Sequence, residues 1–306
     1  MGKTAVVFPG QGSQFVGMGR DFYDQFPKVK EIFDKADAAL GYSITKIMFE
    51  GPEEDLRLTP NTQPALLTMS VGIWEILKDK INADYFAGHS LGEYSAVVAA
   101  GGLTFEEGVK AVHNRGKFMQ TAVPVGVGAM AAVMGSDDET IVATCKEVSG
   151  DKVCEPANFN CPGQVVVAGH TEAVEAFNEK IKAKGAKRAM MLPVSAPFHC
   201  SLMGPARIEM ATYLKEHASI KDLQTPVFNN IDAKIETKAD DVYDALCRQV
   251  DGAVMWTELI KNMIAAGVDR FIEVGAGKVL AGLIKKIDKE VTVENISCVA
   301  DLEKGE

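Results

Sequence analysis

Short apolar runs alternate with longer amphipathic segments from end to end, a pattern that predicts an α/β protein. Thr4-Ala5-Val6-Val7-Phe8 predicts a first strand, closed by Pro9-Gly10-Gln11-Gly12. Asn61 to Leu77 predicts a helix with Asn61 as cap and Gln63-Pro64 in its first turn. The aromatic-rich Ala83 to Ala87 predicts a buried strand, and Glu93 to Ala100, rich in Ala and Val, predicts a helix. Phe105 to Thr121 predicts another helix, capped by Thr104, with Glu106 and Glu107 near its positive end. Val268 to Val274 predicts a strand and Lys278 to Ile287 a helix.

The middle follows a different order. Strand (Ala129 to Met134), helix (Asp138 to Val148), strand (Val153 to Ala157), strand (Gln164 to Ala168), helix (Glu172 to Ala183) and strand (Arg188 to Leu192) succeed one another. This is β-α-β-β-α-β, the ferredoxin-like arrangement. Pro124 and Pro197 flank it. The expected organisation is a large α/β part from residues 1–124 and 197–306, with a small ferredoxin-like part from 125–196 inserted. The alternative is that these elements extend the main sheet.

The formal net charge of −10 argues against nucleic acid as a partner, because phosphate contact needs a basic surface. The most apolar stretch, Thr121 to Gly135, is broken by Pro124, Gly126 and Gly128 and is too short to span a membrane. The apolar run after Met1-Gly2-Lys3 is too short for a signal-peptide core, and Val6 stands where a myristoylation site needs Ser or Thr. The 6 cysteines form no C-x-x-C pair, which argues against a disulfide framework or a metal site and fits a reducing cytoplasm.

The chemistry centres on Gly88-His89-Ser90-Leu91-Gly92. Gly-x-Ser-x-Gly between a strand and a helix has the layout of a nucleophile elbow: the glycines permit a tight turn, and the helix N-terminus faces any developing oxyanion. A plain strand-turn-helix with a capping serine is the other reading. A nucleophilic serine needs a base, and there are 5 histidines. His89 is inside the turn and should point away from the hydroxyl; His113 lies mid-helix, His170 in the small part, His217 near a polar helix end. His199 lies in Pro193-Val194-Ser195-Ala196-Pro197-Phe198-His199, a loop at the seam between the two parts. Gln11, after the first strand, is placed to offer a backbone N–H to an oxyanion, paired with the N–H of Leu91. Taken alone, Arg115 reads as a surface salt-bridge residue. Beside the nucleophile it would clamp a carboxylate. Gly116 next to it weakens the helix unless another backbone must approach there.

Six stretches together resemble the malonyl-CoA:acyl-carrier-protein transacylases, acyltransferases that load extender units for fatty-acid and polyketide synthesis. They are Phe8-Pro9-Gly10-Gln11-Gly12-Ser13-Gln14, Thr62-Gln63-Pro64-Ala65, Gly88 to Ala96, Asn158 to Gln164, Ser195-Ala196-Pro197-Phe198-His199 and Glu273 to Leu280. One departure is Ala276, where relatives often carry Pro. The resemblance implies an α/β-hydrolase-like large part, Ser90 as nucleophile and His199 as its partner. It further implies Arg115 as the carboxylate clamp, Gln11 and Leu91 amides as the oxyanion hole, and the Gln249 carbonyl as the group orienting His199. Gln63, Asn158 and Phe198 become pocket residues. Phe198 before the histidine and Leu91 after the serine go with malonyl, since Phe198 leaves no room for an α-methyl.

The implied substrates are malonyl-CoA and a phosphopantetheinylated acyl carrier protein, with no permanently bound cofactor, no membrane partner and a monomeric enzyme. The carrier is expected to be acidic, and Lys180, Lys182, Lys184, Lys187 and Arg188 form a local basic run with no acid in it. Lys187 and Arg188 are the candidate docking residues, with Lys285 and Lys286 as additions; a solvated helix end is the competing reading. A polyketide carrier, a serine thioesterase and a catalytically idle carrier-binding scaffold remain as alternatives.

Overall fold

The structure, a computed structural model, describes residues 2–194 and 196–305; Met1, Ser195 and Glu306 lie outside the described residues. Strand β1 (Lys3–Phe8) leads into five helices, α1 (Arg20–Gln25), α2 (Pro27–Leu40), α3 (Ile44–Glu50), α4 (Glu53–Arg57) and α5 (Thr59–Leu77). Strand β2 (Tyr85–Gly88), helix α6 (Gly92–Ala99) and helix α7 (Phe105–Thr121) follow. Next come β3 (Gly128–Met134), α8 (Asp138–Ser149), β4 (Cys154–Cys161), β5 (Gln164–His170), α9 (Thr171–Ala183) and β6 (Arg188–Met191). The remainder comprises α10 (Gly204–His217), β7 (Val227–Phe228), β8 (Ile235–Glu236), α11 (Ala239–Arg248), α12 (Trp256–Ala265), β9 (Val268–Val274), α13 (Val279–Ile287) and β10 (Thr292–Ile296). Among the described residues no helix is long and apolar enough to cross a membrane.

The large sheet has six strands in the order β10-β9-β1-β2-β7-β8. All its pairings are parallel except β7 with β8. Residues alternate faces along a strand, so Val6, Phe8, Phe86 and Ile272 enter one core while Ala5, Val7, Ala87 and Phe271 enter the other. Helices α2, α5 and α7 cover the first face, α12 and α13 the second. Burial on both faces explains why these strands read as unbroken apolar runs.

The second sheet is antiparallel, in the order β4-β5-β3-β6, with β3-α8-β4-β5-α9-β6 along the chain. This is the ferredoxin-like topology. Ala131, Val133, Val165 and Val167 pack under α8 and α9. The opposite face, with Met130, Ala132, Val166 and Ala168, joins the core of the large part. One bridge ties the two parts at strand level: Phe159 N–H donates to Val254 O and Val254 N–H to Ala157 O, each at 2.9 Å. Strand β4 runs on to Cys161, beyond the predicted Ala157, because two register shifts let it bend.

Helix α5 begins at Thr59, earlier than predicted from Asn61 as cap. The Leu58 carbonyl accepts from both Asn61 N–H and Thr62 N–H at 2.8 Å, and Pro60 stands in the first turn, where its missing N–H costs nothing. Pro64 lies inside the helix and cannot donate to the carbonyl of Pro60. That freed carbonyl instead lies 2.8 Å from His113 Nδ1 on α7. Gly116, one turn on, meets the same place: a Cβ there would lie 2.7 Å from Thr59 O. The two helices therefore touch backbone to backbone, and Arg115 is delivered next to Gln63.

Gly116→Ala should lower stability by about 1–3 kcal/mol through overpacking, although Ala favours an isolated helix by ~1 kcal/mol. Urea unfolding checks the sign; a stabilised variant would contradict the close approach of α5 and α7.

Candidate active site

The two parts line an open cleft with Ser90, His199 and Arg115 in its wall. Ser90 sits between β2 and α6 with φ 53°, a left-handed backbone costly to a residue with a Cβ. Its surroundings hold it there. Ser90 N–H donates to Asn230 Oδ1 at 2.7 Å, and Asn230 Nδ2 donates to Gly88 O at 2.7 Å. Gly88 and Gly92 are required by contact as well as by the turn. A Cβ on Gly88 would fall 1.9 Å from Gly92 O, and one on Gly92 would fall 2.2 Å from Phe8 O.

His199 also has a left-handed backbone, φ 60°. Its Nε2 lies 2.7 Å from Ser90 Oγ and its Nδ1 lies 2.9 Å from the carbonyl of Gln249. A carbonyl can only accept, so Nδ1 carries the proton and Nε2 is left to accept the serine proton. Burial, reinforced by the nearby charge of Arg115, pushes the imidazole down to about 3. The ring is therefore a neutral base. Glu155, on β4, accepts from Ser201 N–H and Ser201 Oγ at 2.8 Å and anchors the chain just after His199 to the small part.

Arg115 is not a surface salt-bridge residue, as its sequence neighbourhood taken alone would have it. It is 1% exposed. Nη1 donates to Gln63 Oε1 at 2.9 Å; Nη2 donates to Gln249 Oε1 at 2.8 Å and to Ser90 Oγ at 3.2 Å. Its Nε has no hydrogen-bond partner among the described residues. The guanidinium sits 5.7 Å from the Tyr94 ring centroid. Burial lowers its pKa, yet guanidinium remains charged in proteins. A buried cation held by neutral amide oxygens, a hydroxyl and a ring is arranged to receive an anionic group beside the serine.

The remaining candidates distribute as follows. Gln63, Asn158, Phe198 and Gln11 line the cleft. Leu91 follows Ser90 at the start of α6, and its amide and that of Gln11 donate to no protein acceptor among the described residues. The Ser90 amide is already engaged by Asn230, so the Leu91 amide is the one left at the elbow. His89 does turn away from Ser90 Oγ: its Nε2 lies 2.8 Å from Asn160 Oδ1 and its ring tilts against Trp256. Asn230, Glu93 and Asn160 were not among the predicted site residues. Asn230 follows a two-residue strand with no pattern to mark it, whereas Glu93 had a faint signal, an acid in a helix otherwise uncharged.

The basic run is partly neutralised in space. Lys180 and Lys184 both reach Glu147 of α8, at 2.8 and 2.7 Å. Lys285 Nζ is taken up by the carbonyls of Lys289 and Val291. Lys187 and Arg188 are exposed and make no ion pair among the described residues. Arg188 pairs across β3 Met134 with the row of Gln164, a cleft-lining residue that also accepts from Lys286 Nζ at 3.3 Å. Directly opposed residues share a face, so Arg188 lies on the cleft-facing side of the small sheet.

The profile of the acyl transferase domain matches residues 5–305. The chain is 49% identical to the malonyl CoA-acyl carrier protein transacylase of Escherichia coli (strain K12) over 300 residues, 97% of this chain and 96% of that protein. It is 46% identical to the one of Bacillus subtilis (strain 168), over 97% of this chain and 94% of that one. Its structure is similar to an acyl carrier protein S-malonyltransferase from Vibrio cholerae, with TM-score 0.97, 47% identity, and coverage of 99% and 100% of the two chains. It is likewise similar to a malonyl-transacylase solved in complex with its type II PKS acyl-carrier protein, with TM-score 0.96, 45% identity, and coverage of 99% and 98%. The chain belongs to the acyl transferase family and, within it, to the malonyl CoA-acyl carrier protein transacylases.

Proposed function

We propose that this acyltransferase moves a malonyl group from malonyl-CoA to the phosphopantetheine thiol of an acyl carrier protein, through a malonyl ester on Ser90. The observation that carries the reading is the buried Arg115 guanidinium 3.2 Å from the Ser90 hydroxyl. His199 Nε2 takes the Ser90 proton as Oγ attacks the thioester carbonyl, and the amides of Gln11 and Leu91 hold the oxyanion. The tetrahedral intermediate collapses, the C–S bond breaks, and coenzyme A leaves as a thiol with the proton from His199. In the second half the carrier thiol gives its proton to His199 and attacks the ester; Ser90 recovers the proton as it leaves. The Gln249 carbonyl orients His199 and stabilises the imidazolium that forms, the task a carboxylate performs in other serine enzymes. Gln63 and Asn158 complete the acyl pocket, and Phe198 narrows it against an α-methyl.

Both half-reactions run on the chain's own residues, with no resident cofactor. Fatty-acid synthesis is the pathway class the bacterial relatives support; the carrier-bound relative makes a polyketide carrier the second reading. A serine thioesterase has no use for a buried cation at its nucleophile. We place the enzyme in the cytoplasm, acting as a monomer, with the carrier docking beside Lys187 and Arg188 at the outer edge of the cleft.

Because burial holds His199 as a free base, single-turnover acylation should stay flat from about pH 7.5 to about pH 5; a tenfold-per-unit fall starting near pH 6.5 would contradict this. In intact-protein mass spectrometry Ser90→Ala should show no malonyl adduct, and a persistent adduct would reject Ser90. A charge-assisted carboxylate contact is worth ~1.5–3 kcal/mol, so Arg115→Ala should cut the malonyl-over-acetyl preference by roughly 10- to 150-fold. An unchanged preference would remove Arg115 from that role. Reversing both charges, Lys187→Glu with Arg188→Glu, should raise KM for the carrier and leave KM for malonyl-CoA alone; equal carrier KM would count against docking there.

A further inference from the structure

Glu93, one turn beyond the nucleophile on α6, is fully buried. Its Oε2 accepts from Asn230 N–H at 2.8 Å and from Gln249 Nε2 at 2.9 Å; its Oε1 has no hydrogen-bond partner among the described residues. The other Nε2 hydrogen of Gln249 goes to the Ser90 carbonyl at 2.9 Å. Gln249 Oε1 is thereby turned to Arg115 Nη2 at 2.8 Å. An amide has a donor end and an acceptor end, and its orientation is set by what surrounds it. Here one end meets a carboxylate and a carbonyl, which only accept, and the other meets a guanidinium, which only donates. Flipping the amide would set donor against donor and acceptor against acceptor.

We propose that Glu93 is a positioning residue for acyl-group selection: its Oε2 fixes the Gln249 amide with Oε1 toward Arg115, and so holds the guanidinium where it receives a substrate carboxylate. Gln249 then serves two ends of the site. Its main-chain carbonyl holds His199, and its side chain holds Arg115. Selection and proton transfer are separable at this residue, because a side-chain change leaves the carbonyl in place. Acceptance by Oε2, not the charge, is what the arrangement requires. Burial pushes the Glu93 carboxyl up to about 7, against the opposing pull of Gln249, Asn230 and Arg115. A proton on the unpartnered Oε1 leaves Oε2 free to accept. Asp232 and Glu236 are the other carboxylates whose fields reach it.

The inference rests on Arg115 as the carboxylate clamp, so its test includes Arg115→Ala in the same assay. Malonyl and acetyl loading of Ser90 are timed from malonyl-CoA and acetyl-CoA by intact-protein mass spectrometry. Glu93→Met should lower the malonyl-to-acetyl ratio on the order of tenfold, the scale of one charge-assisted hydrogen bond misplaced, with acetyl loading largely kept. Glu93→Gln, which keeps an acceptor oxygen and lacks the charge, should keep the ratio. Gln249→Met should lower the malonyl-to-acetyl ratio by a similar factor, and the ratio in the double variant should fall no further, since both cut one chain of contacts.

A wild-type ratio in folded Glu93→Met, or equal losses of malonyl and acetyl loading, overturns the proposal, the latter leaving Glu93 a support of the elbow alone. Loss of the ratio in Glu93→Gln overturns it in favour of charge. If Glu93→Met does not fold by circular dichroism, Gln249→Met decides: an unchanged ratio there overturns the proposal equally. If Arg115→Ala itself leaves the ratio unchanged, it is the clamp reading that fails.

Discussion

A guanidinium taken out of water beside a serine hydroxyl is the constraint around which this structure is arranged. An isolated buried charge is costly, and what lowers the cost here is a set of hydrogen bonds from three separate segments: Gln63 on α5, Gln249 just past α11, and Ser90 at the elbow. To meet them, α7 must lie against the start of α5 at backbone distance. Gly116 permits that approach, and Pro64 frees the carbonyl that His113 meets. The helix pair and the wall of the cleft are thus one construction.

The same economy governs the nucleophile and its base. Both residues hold left-handed backbones that non-glycine residues avoid, and neither is held by its own turn alone. Asn230 clamps the elbow from the turn after β7, while Glu155 clamps the segment after His199 from β4 of the small part. The base therefore sits where the two parts join, and its hydrogen bond to Ser90 depends on their relative placement. Burial that depresses His199 also leaves the Arg115 guanidinium in a medium where its charge acts strongly on its neighbours.

Much of this was legible in the chain. Strands β1 to β6 and β9 and helices α5 to α9 and α13 announced themselves by pattern, since each buries a continuous face; α10, α11, α12 and β10 were not read. Helices α1, α3 and α4 are too short for a periodic signal, and β7 and β8 are two residues each. Helix α2 was readable, with Val29, Ile32, Phe33 and Ala36 buried at helical spacing, yet no motif drew attention to it. Charge was the least legible property. Lys180 and Lys184 look free along the chain and are tied to Glu147 across the helix pair; Arg115 looks exposed and is sealed in the core.

The sequence by itself determined the chemistry available: an elbow serine between glycines, a histidine in a proline-bound loop, an arginine beside a permissive glycine, and a β-α-β-β-α-β insertion. Those are local properties, set by which residues can turn, donate or bury at each position. Tertiary structure alone decided which groups meet and in what state. His199 becomes a neutral base, Arg115 a buried cation and Glu93 an inward carboxyl because desolvation and hydrogen bonding depend on neighbours brought from distant segments. No spacing along one chain encodes those neighbours.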